Sequence, residues 1–342
     1  MNVTDTQNAY PFLQQLTQAF GPSGLENPVL SLLAVATQGY ADETYRDTLG
    51  NLYVIKRGTS GKQVMVSAHA DEIGLIVTFI DTDGFLRFTT LGGVSVTNLL
   101  YRRVVFENGV SGVIAVEKLD KPGDLSLEKL YIDIGATSES DAAAKVRIGD
   151  SAVFVGEYTE TQTRVISKAL DNRIGCFVLS EALKQVVSPH TLVFVFTTQE
   201  EVGLRGARPA AYALDPDWAV TVDVTRTGDT PKSARMAVRL GAGVGIKVMD
   251  RAIVIAPYVK TWISEQARKQ QIPHQFEVLE SGGTESGAIQ LTKSGIPVGV
   301  LSIPARYVHS PGEMIDKRDV ASAIALLVAL LQDQAGPQIP IY

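Results

Sequence analysis

The alternation of apolar and polar positions divides the chain into three regions. In residues 1–73, two runs with helical periodicity precede two β-rich runs. In residues 74–163, short β-branched runs alternate with turn residues, which is typical of a small β-barrel or sandwich. One helix interrupts this second region at SESDAAAKV, where Ser138 and Asp141 have the spacing of a capping box.

In residues 164–342, long helical runs alternate with nearly continuous apolar strands, among them TLVFVFTT and WAVTVDV. Such strands, separated by helices, predict a sheet that helices cover on both faces. Insertions are tolerated best in surface loops between elements. We therefore predict one α/β domain, formed by residues 1–73 and 164–342, that carries an inserted β domain at residues 74–163.

Composition narrows the class of protein. The chain has 342 residues, of which 45% are hydrophobic and 20% charged, as in soluble globular enzymes. A net charge of -6, with no run of Lys and Arg, argues against nucleic-acid and anionic-membrane partners. The first residues, MNVTDTQNAYPF, lack the features of a signal peptide, and we expect a cytoplasmic protein. The single cysteine, Cys176, is predicted to be a core thiol because it lies within a helical apolar run.

Polar side chains that can bind metals interrupt the apolar runs where strands end. In an open α/β sheet such positions gather at one edge, where ligands bind. Burying so many carboxylates without a cation costs several kcal/mol each, and a pair of divalent ions removes that cost. Carboxylates with two imidazoles and no thiolate predict a two-metal hydrolytic site. The candidates are His69, Asp71, Asp171, Glu200, Glu201, Asp223 and His309.

The adjacent acids Glu200 and Glu201, in TTQEEVGLRGA, raise a geometric question. Neighbouring side chains of a strand point to opposite faces, so both can serve one site only where the strand ends and the chain turns. Gly203 and Gly206 suit such a turn. One glutamate can then bind metal while the other stays free as a base. A glycosidase is disfavoured, because its carboxylates lie roughly 5–9.5 Å apart across a sugar bond.

Several motifs, taken in order, resemble one known family. They are SAHADEIG, KALDNRIGC, TTQEEVGLRGA, VDVT and IPARYVHSPGEM, supported by PSGLE, DTLGNL, YIDIGA and VRIGDSAVF. The set is similar to the tetrahedral, or TET-type, aminopeptidases, the glutamyl and deblocking family of two-metal metallopeptidases, and it spans essentially the whole chain. The resemblance implies a mixed sheet covered by helices, with an inserted barrel through which subunits dimerise. Dimers of this family assemble into a hollow dodecamer that admits short peptides with a free N-terminus.

The resemblance also implies roles for individual residues. Two divalent ions would share Asp171 as a bridging ligand; mixed oxygen and nitrogen ligands accept zinc, cobalt and manganese alike, so the identity of the metal stays open. Asp71 would orient His69 through a hydrogen bond, and Glu200 would be the general base that activates the water. The implied ligands are His69, Asp171 and Asp223 for one ion, and Asp171, Glu201 and His309 for the other.

One departure from the family concerns the substrate. Where relatives commonly have Gly-Gly-Thr-Asp-Ala, this chain has GGTES, with Glu285 and Ser286 in the last two positions. The residue preferred at the substrate N-terminus therefore stays open. Four cationic residues flank the predicted site and are candidates for binding acidic side chains, although solvated surface charge is the commoner role. These are Arg226, Lys232, Arg235 and Arg306.

Two alternative functions stay open from the sequence. The same metal chemistry serves an amidase or deacylase of modified amino acids, and the assembly of such a chain also suits a catalytically silent peptide-binding protein. The remaining histidines, His190 and His274, stand at predicted strand starts and are interpreted as ordinary boundary residues.

Overall fold

Across residues 10–340, which the structure describes, the computed structural model has one mixed sheet of eleven strands and one closed barrel of six antiparallel strands. The predicted α/β fold with an inserted small barrel is confirmed. Residues 1–9, most of the segment compared above with a signal peptide, lie outside the described residues. Among the helices of residues 10–340, none has both the length and the apolar character that crossing a bilayer requires.

The elements follow one another from an N-terminal helix pair to a long C-terminal helix. The helices are α1 (Pro11–Gln18), α2 (Asn27–Thr37), α3 (Glu139–Ala143), α4 (Leu170–Gln185), α5 (Ala207–Leu214), α6 (Pro257–Lys269), α7 (Ser286–Gln290) and α8 (Lys317–Gln332). The barrel strands, in chain order, are β4 (Gly74–Ile80), β5 (Leu86–Leu91), β6 (Arg103–Phe106), β7 (Ser111–Val116), β8 (Leu130–Asp133) and β9 (Ser151–Phe154). The other strands are β1 (Glu43–Arg46), β2 (Leu52–Lys56), β3 (Gln63–His69), β10 (Thr159–Glu160), β11 (Arg164–Ser167), β12 (Thr191–Thr197), β13 (Trp218–Thr225), β14 (Val244–Met249), β15 (His274–Val278), β16 (Val298–Arg306) and β17 (Glu313–Asp316).

Four parallel strands, in the order β12, β3, β13 and β16, form the centre of the large sheet. They are the continuous apolar runs of the sequence, and they are buried because helices cover both faces. On one face α8 contacts α4 and α6, and all three helices contact the sheet, while α5 and α7 pair on the other. Parallel strands end at the same edge, so the residues that follow them meet there.

The barrel joins this sheet at its functional edge. Only four residues, Ala70–Ile73, separate the end of β3 from the start of β4. The barrel has its own core of buried apolar side chains, including Leu75, Leu86 and Ile132. Strand β10 pairs with β11 and so belongs to the large sheet. The chain therefore leaves the sheet at the end of β3 and rejoins it at β10.

Some elements differ from the sequence-based expectation. Strands β1, β10, β11, β14 and β17 were not predicted, and the run TESGAIQLTKSG, for which the sequence predicts a helix, forms only the five-residue helix α7. The sequence around β14, GAGVGIKVMD, is rich in glycine, which lowers local strand propensity. The cap of α3 was predicted, and Ser138 Oγ accepts a hydrogen bond from the Asp141 amide.

A buried ion cluster ties the N-terminal helices to α4. The Glu72 carboxylate binds Lys168 Nζ at 2.7 and 2.8 Å and Arg173 Nη2 at 3.2 Å. All three side chains are almost fully buried. Arg173 also donates to the carbonyl oxygens of Leu16 and Gly21, which lie in α1 and the loop after it. A single carboxylate thus balances two buried cations.

We expect Glu72→Gln to lower the free energy of unfolding by about 3–5 kcal/mol, because it leaves two buried cations without a counter-charge. The matched control is Glu43→Gln, which breaks an exposed pair with Arg57 and should cost less than about 1 kcal/mol. Urea unfolding measures both. A Glu72→Gln protein as stable as Glu43→Gln would show that the buried cluster contributes little.

Candidate metal centre

The edge of the sheet holds a pocket of about 360 Å³. His69 is the last residue of β3, Asp223 lies near the end of β13, and Asp171 stands in the first turn of α4. Glu200 and Glu201 follow β12, and His309 follows β16. All six line the pocket, with Asp71 buried behind His69. The structure thus brings together the seven residues that the sequence singled out.

Five of these side chains form two triads that share Asp171. His69, Asp171 and Asp223 each offer one atom within 4.8 Å of the others, and so do Asp171, Glu201 and His309. Asp171 Oδ1 lies 3.3 Å from His69 Nε2, and its Oδ2 lies 3.3 Å from His309 Nε2. The two oxygens of one carboxylate therefore face different triads.

Both imidazoles present Nε2 to the pocket, because their other nitrogen faces an oxygen atom on the opposite side. His69 Nδ1 lies 3.3 Å from Asp71 Oδ1, and His309 Nδ1 lies 2.6 Å from the carbonyl oxygen of Gly93. A hydrogen bond from Nδ1–H to an acceptor leaves the Nε2 lone pair free for a ligand. Since Gly93 follows strand β5, the barrel contributes directly to the arrangement of this site.

The adjacent glutamates reach the pocket because the chain turns after β12. The amides of Gly203 and Leu204 both donate to the Glu200 carbonyl oxygen, and Gly203 has a φ of 122°, which favours glycine. At Gly206 a Cβ would lie 2.3 Å from Asn51 Oδ1, so only glycine fits there. The turn predicted from the two glycines is the one the structure shows.

Asp71 does more than orient His69. Its Oδ1 accepts a hydrogen bond from the Glu200 amide at 3.0 Å, and its Oδ2 accepts one from the Glu201 amide at 3.1 Å. Ser23 Oγ donates to the same carboxylate at 2.6 Å. One buried carboxylate therefore fixes the backbone of both glutamates and lies 3.3 Å from the imidazole of His69.

Two further residues support the site, and sequence reasoning did not assign them this role. Glu313 is buried and accepts hydrogen bonds from the backbone amides of Asp171 and His309, one on each oxygen. Cys176 is a core residue, as predicted, and its thiol donates to the His69 carbonyl oxygen at 3.1 Å. The signal for Glu313 was present, since it follows His309 within the motif HSPGE, but its contacts are long-range.

The electrostatics of the pocket are dominated by its carboxylates. Burial raises the pKa of Glu200 well above its ordinary value, with Asp223 and Glu201 adding to the effect and His69 opposing it. For Asp171, hydrogen bonds from His309 and His69 outweigh burial and lower the pKa. Burial disfavours the charged His309 ring, yet Asp171 and Glu201 raise its pKa to about 12. The pocket therefore strongly favours positive charge.

These donors fit divalent metal ions. Four carboxylates and two imidazoles surround one small volume, and Glu201 Oε1 is buried without a hydrogen-bond partner. A buried carboxylate oxygen in this condition is costly unless a cation satisfies it. Oxygen and imidazole ligands without thiolate suit zinc, cobalt or manganese.

The cationic residues that flank the site differ in their availability. Among the four candidates only Arg226 lines the pocket, where it is exposed. Arg306 forms a bidentate ion pair with Asp229, at 2.7 and 3.0 Å.

The two remaining histidines lie away from the pocket. His190 is buried beside Trp218, and His274 begins β15.

The chain is similar to known aminopeptidases in sequence and in structure. A family model described as M42 glutamyl aminopeptidase matches residues 50–326. The lysyl aminopeptidase of Pyrococcus furiosus is 34% identical, over 95% of this chain and 97% of its own. Aminopeptidase APDkam598 from the archaeon Desulfurococcus kamchatkensis has a similar structure, with a TM-score of 0.90 at 38% identity over 95% of this chain and 94% of its own. The TET1 peptidase of Pyrococcus horikoshii, which can assemble into a tetrahedron or a large octahedral shell, has a TM-score of 0.84 at 32% identity, over 94% of this chain and 98% of its own.

The family resemblance stated from the sequence is thus confirmed, and with it the activity of a peptide-bond hydrolase that depends on divalent metal. The chain belongs to the M42 glutamyl aminopeptidase family of metal-dependent aminopeptidases.

Proposed function

We propose that this aminopeptidase removes N-terminal residues from short peptides at a centre of two divalent ions, with Glu200 as the general base. The observation that carries the proposal is the pair of triads that share Asp171. Of the two described glutamates that line the pocket, Glu201 belongs to a triad and Glu200 belongs to neither. The proposed ligands are His69, Asp171 and Asp223 for one ion, and Asp171, Glu201 and His309 for the other.

The metal ions and the side chains around them have different roles in hydrolysis. The ions, when bound, supply Lewis acidity for the scissile carbonyl and lower the pKa of the attacking water. Glu200 would accept the proton of the attacking water and deliver it to the leaving amine. Asp71 fixes the position of the Glu200 backbone, because it accepts a hydrogen bond from the Glu200 amide. Asp171 and His309 stay fixed because Glu313 holds both backbones.

The metal and the assembly are also part of the proposal. Zinc or cobalt, with manganese as a third candidate, suits the donor set. Dimers and a tetrahedral dodecamer are supported by the similarity to the TET1 peptidase. The barrel offers exposed apolar side chains for such contacts, including Phe79, Val113 and Ile148. A cytoplasmic location stays a prediction.

The experiment that tests the proposed function compares aminoacyl anilides with N-acylated amino acids on metal-free protein refilled with zinc, cobalt or manganese. We expect turnover only of anilides with a free α-amine, and only after metal is restored. Preferential hydrolysis of the acylated compounds would instead identify an amidase or deacylase. Binding of metal without turnover of either class would identify a silent peptide-binding protein.

A further inference from the structure

A buried carboxylate beside the site, Glu285, belongs to neither triad. Its side chain is 1% exposed, and Oε2 accepts a hydrogen bond from Thr197 Oγ1 at 2.5 Å. The Ser67 hydroxyl, which is bonded to Thr221, also lies near this carboxylate. Its other oxygen, Oε1, is buried without a hydrogen-bond partner. Burying a carboxylate oxygen without a hydrogen-bond partner costs free energy of folding, so we expect Glu285 to have a function.

Thr197 and Ser67, which lie beside Glu285, belong to the strands that lead into the metal centre. Ser67 precedes His69 by two residues on β3, so both side chains are on the same face of the strand. Thr197 is the last residue of β12 and is aligned with His69 in the parallel register. Three residues later the chain reaches Glu200. Glu285 is therefore hydrogen-bonded to the functional end of β12 and lies near the functional end of β3.

In the sequence, Glu285 directly follows a segment that forms one wall of the pocket. The preceding segment, residues 279–284, supplies five of the residues that line the pocket, and we call it the 279–284 wall. Its middle, Ser281, Gly282 and Gly283, is exposed and has little side chain with which to pack. The wall becomes buried at Thr284, which donates to Asp250 Oδ2 at 3.2 Å, and then at Glu285.

We propose that Glu285 is a positioning residue that fixes the distance between the 279–284 wall and the metal-bearing strand ends, and thereby selects which N-terminal side chain the pocket accepts. This inference rests on the proposed function. The length of the side chain sets the spacing: an aspartate is shorter by one methylene, so its carboxylate lies about 1.5 Å nearer the backbone. Keeping the bond to Thr197 would then draw the wall inward, and a displacement of about 1 Å near reacting groups can change rates about 100-fold.

Two variants test this proposal by changing, in turn, the acceptor and the donor of the hydrogen bond between Glu285 and Thr197. Glu285→Asp shortens the acceptor, and Thr197→Val removes the donor at nearly constant volume. The control is Thr37→Val, the same substitution at a buried threonine of α2 that donates to Leu33 far from the pocket. For each protein, kcat and KM are measured with the anilides of leucine, lysine and glutamate, together with metal content. Hydrogen exchange of the amides in residues 279–284 is measured on the metal-free proteins.

We expect the ratios of kcat/KM among the three anilides to change by about tenfold or more in Glu285→Asp and Thr197→Val, at unchanged metal content, and to stay as in the wild type in Thr37→Val. Exchange in the 279–284 wall should accelerate by about tenfold or more in Thr197→Val. If Glu285→Asp fails to fold, Thr197→Val decides alone. Unchanged ratios and unchanged exchange, with an active wild type, would overturn the positioning role only. A metal-loaded wild type that cleaves no anilide would overturn the proposed function, and this inference with it.

Discussion

Replacing Glu200 with glutamine should lower kcat by about 10²–10⁴-fold while the protein still binds its full complement of metal. Glutamine has the size of glutamate but cannot accept the proton of the attacking water. Because Glu200 lies outside both triads, its replacement leaves the proposed ligands unchanged. The Glu200 amide, which donates to Asp71, is also preserved.

The neighbouring Glu201→Gln protein is the matched control for this experiment. Glu201 Oε1 lies 3.3 Å from His309 Nε2, within the second triad. Its replacement should therefore lower metal content as well as activity, whereas Glu200→Gln should lower activity alone. Steady-state kinetics and metal analysis of the two proteins separate the roles. A Glu200→Gln enzyme with wild-type kcat would show that another group takes the proton.

The second large effect is expected at Asp171, the residue common to both triads. Asp171→Asn should reduce bound metal from two ions to at most one and lower kcat/KM by about 10³-fold or more. That figure corresponds to losing about 4 kcal/mol of transition-state stabilisation, within the several kcal/mol that a metal centre supplies. The asparagine keeps the backbone amide that donates to Glu313, so the local fold should persist.

His309→Ala provides the comparison for Asp171→Asn. His309 belongs to one triad only, so its loss should empty one metal position and leave the triad of His69, Asp171 and Asp223 intact. Metal analysis by mass spectrometry and calorimetric titration distinguishes these cases. Two ions retained at wild-type affinity in Asp171→Asn would contradict the assignment of Asp171 as the shared ligand.

Much of the fold could be predicted because its central strands carry a strong local signal. The parallel strands β12, β13 and β16 are continuous apolar runs, and burial on both faces follows from that pattern alone. Strands β14 and β17 escaped prediction because the sequence around β14 is rich in glycine and β17 is only four residues long. Their pairing with β16 depends on tertiary contacts that no local window contains.

The candidate site was predictable for a related reason. Parallel strand ends converge, so polar residues placed after apolar runs meet without any knowledge of the loops. The residues that support them could not be found in this way. Gly93 reaches His309 from the barrel, across 216 positions of the chain, and contributes only its carbonyl oxygen, which any residue type has.

Glu285 is another residue whose role in the site could not be predicted from the sequence. The sequence marked it as a departure from the family pattern and left its effect on the substrate open. Its buried bond to Thr197 joins residues 88 positions apart, and only the packed sheet places them together. Composition and spacing identify reactive side chains well, because chemistry restricts their type. They identify the groups that hold those side chains poorly, because many residue types can donate or accept a hydrogen bond.

The central claim is that two ions share Asp171 and that each is held by a separate histidine. The most direct measurement is anomalous diffraction from a crystal of the zinc-loaded wild-type protein, recorded above and below the zinc edge. We predict two peaks about 3.5–4 Å apart. One should lie against His69 and Asp223, the other against Glu201 and His309, with Asp171 between them. A single peak, or peaks away from these side chains at full zinc occupancy, would contradict the account.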